Sequence, residues 1–132
     1  GRFEQLLPNV FIDGAHNEQG TAALIHTLTH ALPNKAYHFI YAAMRDKDHA
    51  ASIAQMDKIA HTVAFTTLPM PRAAAAEALA QQSTHAKKQA ISDWRTYIRE
   101  HLATRTEDDV LIVTGSLYFI SEAGPFIQQL GE

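Results

Sequence analysis

Cysteine is absent from the 132 residues, so neither disulfides nor thiolate chemistry is available, and a reducing compartment is the expected home. Two phosphate-cradling signatures are missing as well. No G-x-x-x-x-G-K-[ST] occurs, which removes a P-loop for a triphosphate, and no G-x-G-x-x-G occurs, which disfavours a dinucleotide reader. No Ser–His–acid order with a nucleophile elbow is present. The longest apolar runs are strand-length and no signal peptide is visible, so a soluble cytoplasmic protein with no membrane partner is expected. Positive charge is sparse, with 11 Lys and Arg against 14 Asp and Glu, a formal net charge of −3 and no cluster beyond pairs such as Lys87-Lys88. A nucleic-acid surface needs more than that.

What is present is a globular mixture, 46% hydrophobic and 19% charged, enough to bury one core and too apolar for disorder. No internal repeat, low-complexity linker or second domain is found, so residues 1–132 are expected to form one domain. The chain opens on Gly1-Arg2-Phe3 without Met and runs at once into structured-looking sequence, which is expected of a domain cut from a longer protein.

Apolar patterning predicts strands over 3–7 and 10–13 around the turn dipeptide Pro8-Asn9, then a helix over 18–32 with Thr21, Ile25, Leu28 and Leu32 on one face. Further strands are expected over 37–43, 62–66, 88–91 and 110–114. Between them lie helices over 50–57, with Asp48 suited to its cap, over the Ala-rich 72–82, and after a Ser92 cap, with a last helix following Gly115-Ser116. Alternation of strand and helix implies βαβ units. The expected fold is α/β, a mostly parallel sheet with helices on both faces and 3–7 antiparallel at one edge, with 110–114 as the most deeply buried strand.

Three loops should follow neighbouring strands at their carboxyl ends, around 13–17, 44–48 and 115–117, which gathers Asp13, His16, Lys47, Thr114 and Ser116 along one edge. The most informative is Val10-Phe11-Ile12-Asp13-Gly14-Ala15-His16-Asn17, an apolar run ending in a carboxylate and a tight loop before a helix capped by Asn17. Asp13 either satisfies a turn or accepts ribose hydroxyls. His16 is either structural or meets a ligand's negative charge at the helix N-terminus. Lys47 is either one charge of a solvated cluster or a ligand contact. Asp13 and His16 are both expected at an exposed loop edge, where substitution leaves stability almost unchanged. His26 and His30 share a helix face without a third acidic ligand, so a surface pair is expected and no residue is assigned to a metal.

In order along the chain, Gly1-Arg2-Phe3, Asp13-Gly14-Ala15-His16-Asn17, Asp46-Lys47-Asp48, Pro71-Arg72-Ala73-Ala74 and Thr114-Gly115-Ser116-Leu117-Tyr118-Phe119 resemble the C-terminal domain of folylpolyglutamate synthases. That family lies within the ATP-dependent amide ligases, which include the muramyl peptide ligases. The resemblance implies a Rossmann-like six-stranded sheet, mostly parallel with one antiparallel edge strand. It implies a parent that uses ATP and L-glutamate to extend a folate or dihydropteroate through an acyl phosphate, with P-loop and Mg2+ ligands supplied by an N-terminal domain of the same chain. The domain alone is then expected to be inactive. By the same resemblance Arg2 reaches nucleotide phosphates and Asp13 the ribose. His16 lies between nucleotide and incoming glutamate as the catalytic candidate, and Lys47 and Ser116 hold the amino-acid carboxylate. The hairpin between Arg2 and Asp13 is about two residues shorter than the family's, which puts the register of Arg2 in question. One alternative is a stand-alone binding module such as a phospho-acceptor receiver, although Gly14-Ala15 stand where a receiver needs its acidic, magnesium-binding residues. The other is a muramyl ligase C-domain, against which the folate-type Asp13-Gly14-Ala15-His16-Asn17 speaks.

Overall fold

Pro8 has no N–H to give a ladder, and Asn9 takes the left-handed φ of 59°, so the chain reverses between β1 (Glu4–Leu7) and β2 (Val10–Asp13). The computed structural model describes residues 3–15 and 17–132. Beyond the hairpin follow α1 (Glu18–Ala31), β3 (Ala36–Ala42), α2 (Ala50–Ile59), β4 (Ala60–Thr66), α3 (Ala76–Gln82), β5 (Lys88–Ile91), α4 (Trp94–Thr104), β6 (Asp109–Gly115) and α5 (Leu117–Leu130). Asn17 caps α1 as expected, its side chain accepting from the Gly20 N–H at 2.7 Å.

The six strands lie in the order β1-β2-β6-β3-β4-β5. β1 runs antiparallel to β2 and every other pairing is parallel, as the strand alternation predicts. The two-residue period of the strands divides the core. Phe11, Phe39, Tyr41, Phe65 and Ile112 face α1, α2 and α3 through Leu24, Leu28, Ile53, Met56 and Leu79. Val10, Ile12, Ile40, Leu111 and Val113 face α4 and α5 through Trp94, Ile98, Phe119 and Ile127. Both faces of β6 are therefore dry, which suits its apolar run Val110-Leu111-Ile112-Val113.

Local expectations differ from the structure in four places. His49, not Asp48, holds the N-cap position of α2, because the helix begins only at Ala50. Leu24 rather than Ile25 joins Thr21 and Leu28 as a buried residue of α1. Asp93 rather than Ser92 caps α4, accepting from the Thr96 N–H at 3.2 Å. The helix expected over 72–82 begins only at Ala76, because residues 72–74 pair with the loop after β3. Ala74 N–H donates to the Ala43 carbonyl at 2.9 Å, Arg45 N–H donates to the Arg72 carbonyl at 2.7 Å, and Met44 and Ala73 form an antiparallel bridge. Backbone pairing outweighs alanine's helix propensity there.

β6 is the strand at which the winding reverses. Its helix, α5, packs on the face opposite to α1 and α2, which follow the flanking strands β2 and β3. The chain parts on both sides of the β6 carboxyl end, and such switch points open crevices. Gly115 makes the parting possible. It sits at φ +115°, and a Cβ there would overlap the Ala42 carbonyl oxygen, which accepts the Ser116 N–H at 2.8 Å. Gly115→Ala is expected to lose about 3 kcal/mol or more, read as a lower urea midpoint at unchanged slope. Gly124→Ala, whose Cβ would meet Ile12 at an ordinary 3.5 Å, should hold or gain up to about 1 kcal/mol.

Candidate functional site

Two of the clefts at the carboxyl edge take in residues expected at the site, one beside the end of β6 and one between the end of β2 and α1. The first, of about 280 Å³, is lined by Tyr41, Ala43, Met44, Lys47, His49, Ser116 and Leu117. That volume lies just under the roughly 300–1,000 Å³ of drug-sized pockets. Ser116 is placed by its own backbone and caps α5, its Oγ accepting from the Tyr118 N–H at 3.2 Å. Lys47 is exposed on the loop between β3 and α2. That loop is tied from outside by the 72–74 segment and by the Arg72–Asp46 ion pair at 2.5 Å. From inside it is tied by His49 Nε2–H, which donates to the Met44 carbonyl at 2.7 Å. His49 Nδ1 then accepts from the Tyr41 hydroxyl at 3.1 Å. Burial pushes the Tyr41 phenol up to about 12, so it stays a protonated donor.

The second cleft, also about 280 Å³, is lined by Phe3, Asp13, Gly20, Ala23, Leu24 and Thr27. Asp13 is not at an exposed loop edge, contrary to expectation, but only 5% accessible. It is the last residue of β2, and the pleat turns it to the same face as Phe11, under α1. Burial raises its carboxyl pKa, opposed in part by the Ala15 N–H it accepts. Thr114, buried with no hydrogen-bond partner for its hydroxyl among the described residues, pairs in register with both Asp13 and Tyr41.

The expected convergence is thus divided. Lys47 and Ser116, distant in sequence, share one cleft, while Asp13 lines the other. Arg2 and His16 lie outside the described residues. His26 and His30 stack at 4.0 Å on an exposed face, and among the described residues no three His, Cys, Asp or Glu side chains gather to hold a metal. No helix among them is long and apolar enough to cross a membrane. Two pieces of the site escape a reading of the sequence. Tyr41 is hidden inside an apolar strand pattern, and His49 sits where a helix cap belongs. The weak signal for His49 is that histidine is a poor choice for that position.

The fold is that of a doubly wound α/β domain with clefts at the carboxyl edge near its switch strand. A family model for the Mur ligase, glutamate ligase domain, matches residues 1–117, and the chain belongs to that family. The receiver alternative is thereby set aside. The chain is 33% identical over 124 residues to the dihydrofolate synthase/folylpolyglutamate synthase of Bacillus subtilis, an alignment covering 92% of this chain and 29% of that protein. Among solved structures, a bifunctional folylpolyglutamate synthase/dihydrofolate synthase with Mn, AMPPNP and L-glutamate bound superposes with a TM-score of 0.83 at 25% identity, covering 96% of this chain and 31% of the other. E. coli FolC in complex with ADP gives 0.85 at 22% identity, covering 99% and 32%, and so shares the fold.

Asp13 yields a test. An acid whose pKa is raised by folding binds its proton more tightly in the folded state, so stability falls as pH climbs from 3.8, its ordinary value, through the raised one. Ionised Asp13 therefore weighs against the fold at neutral pH. Asp13→Asn keeps the shape and an acceptor for the Ala15 N–H. It should be more stable than the native chain at pH 7, with the advantage vanishing below the ordinary carboxylate range. Denaturant midpoints at both pH values check this, and a variant less stable at pH 7 would contradict it.

Proposed function

We propose that this chain works as the C-terminal domain of an ATP-dependent ligase that joins L-glutamate to a folate or dihydropteroate acceptor. The observation that carries the reading is that Lys47 and Ser116, a cation and a hydroxyl suited to a carboxylate, line one cleft at the switch between β3 and β6. Family membership and the Bacillus subtilis relative support the reaction class. Because the alignment spans 29% of that relative, the rest of the machinery is proposed to lie in an N-terminal P-loop domain of the same polypeptide, in the cytoplasm. That domain would also supply the Mg2+ ligands, so no step here runs through a metal held by this chain.

In the proposed reaction the acceptor's carboxylate takes the γ-phosphoryl group of ATP, releasing ADP and forming an acyl phosphate. The glutamate amine then attacks the acyl carbon, the C–O bond to phosphate breaks, and an amide, phosphate and a proton result. The contribution of this domain is placement. Lys47 neutralises and Ser116 hydrogen-bonds the carboxylate of the incoming glutamate, leaving its amine free to approach. Asp13, whose ionisation burial disfavours, accepts the ribose hydroxyls. Arg2 is assigned to the nucleotide phosphates and His16 to the space between nucleotide and glutamate.

The two clefts separate in steady-state kinetics of the ligase that carries this domain. Lys47→Ala removes a charge-assisted bond and should raise KM for L-glutamate about ten- to a hundredfold, while Ser116→Ala should raise it roughly three- to tenfold. Both should leave KM for ATP within about twofold, whereas Asp13→Ala should raise KM for ATP about tenfold or more. A Lys47 variant that changes KM for ATP instead would contradict the assignment.

A further inference from the structure

A lysine on a surface loop is placed by its backbone, since its own four-carbon stem is free to turn. In this chain the inner side of the Lys47 loop is held by a histidine found where a cap should be. His49 occupies the N-cap position of α2 at φ −103°, ψ −15°, with no side-chain bond to the helix. The neighbouring Asp48 takes the Ala50 N–H at 3.2 Å instead. A residue that breaks a local rule is expected to serve a site. The ring of His49 is 4% accessible and both its nitrogens are engaged, Nε2–H to the Met44 carbonyl and Nδ1 from the Tyr41 hydroxyl. Tyr41, 1% accessible, comes from β3 and cannot move without disturbing the core. The hydrogen-bond chain therefore runs from the sheet through His49 to the first residue of the loop. Tyr41, Met44, Lys47 and His49 all line the cleft that Ser116 completes.

We propose that His49, oriented by Tyr41, is a positioning residue that fixes the loop from Met44 so that Lys47 faces Ser116 across the cleft. This rests on the reading of that cleft as the glutamate site. His49 itself need not touch the substrate. It transmits the rigidity of β3 to the inner side of a loop whose outer side is held by the backbone ladder to residues 72–74 and by the exposed, individually weak Arg72–Asp46 pair.

The test is a kinetic cycle in the ligase that carries this domain, using L-glutamate and ATP as the varied substrates. His49→Ala should raise KM for L-glutamate on the order of tenfold with KM for ATP unchanged, and Tyr41→Phe roughly threefold. His49→Gln, whose amide N–H can reach the Met44 carbonyl, should restore most of the loss. Because His49 acts through Lys47, His49→Ala should add nothing in a Lys47→Ala background. Full additivity, or an unchanged KM in His49→Ala and Tyr41→Phe alike, would overturn the proposal. Should His49→Ala fail to fold, Tyr41→Phe removes a single hydroxyl and decides the question by the same KM split. A Lys47→Ala enzyme with unaltered KM for L-glutamate would instead overturn the reading of the cleft, and this role of His49 with it. Nitrogen NMR of the 132-residue chain checks the device apart from catalysis. His49 should carry its proton on Nε2 at neutral pH, and a proton on Nδ1 alone would overturn the positioning role even if the cleft reading stands.

Discussion

At the end of β6 the backbone of Gly115 runs against Ala42 at φ +115°, and the Ser116 N–H closes on the Ala42 carbonyl at 2.8 Å. The direction of α5, and with it the shape of the carboxyl edge, depends on that approach. A residue with a Cβ would push β3 and β6 apart where their chains must diverge to opposite faces. Because they diverge from adjacent positions, Ser116 at the head of α5 and Lys47 in the loop after β3 come to line the same cleft. A close backbone contact between two buried strands thus brings together two polar residues from opposite ends of the sequence.

The polar groups at this edge are arranged differently from those at the other end of the sheet. Near the start of β3, His38 bonds Thr62 and Asp109, each at 2.8 Å, and Asp109 is held well below the usual carboxylate range by the Thr106 N–H and by His38. Those interactions stabilise the fold. At the carboxyl edge Asp13 is a buried acid whose ionisation is disfavoured, and the Thr114 hydroxyl beside it is buried without a partner among the described residues. Burying a polar group without full compensation is costly. On the proposed reading, ligand groups make up that shortfall when the ligase closes, which is why stability and binding should respond in opposite directions at Asp13.

The architecture was legible in the sequence because its signals are redundant. Apolar runs, the Pro8-Asn9 turn, the Asn17 cap and the strand–helix alternation all lead to the same sheet. Local signals failed where tertiary contacts override them. Ala73 and Ala74 have the composition of a helix but are drawn into an extended ladder with Met44 and its neighbours. Arg72 and Asp46, seen separately as parts of two family motifs, turn out to be one ion pair. Asp13 was placed correctly at the end of the 10–13 strand, but its burial was not foreseen, because it depends on how α1 packs over the last pleat of β2. Tyr41 and His49 could not be paired from sequence, since their contact depends on how the 44–48 loop folds back over the end of β3.

The central claim is that the cleft between β3 and β6 takes the amino acid and the cleft beside Asp13 takes the nucleotide. A crystal structure of the ligase carrying this domain, with L-glutamate and a non-hydrolysable ATP analogue bound, tests it most directly. The account predicts a glutamate carboxylate within hydrogen-bond distance of both Lys47 Nζ and Ser116 Oγ, with the ribose against Asp13. Glutamate bound elsewhere, with Lys47 turned to solvent and the Tyr41–His49 cleft empty, would contradict it.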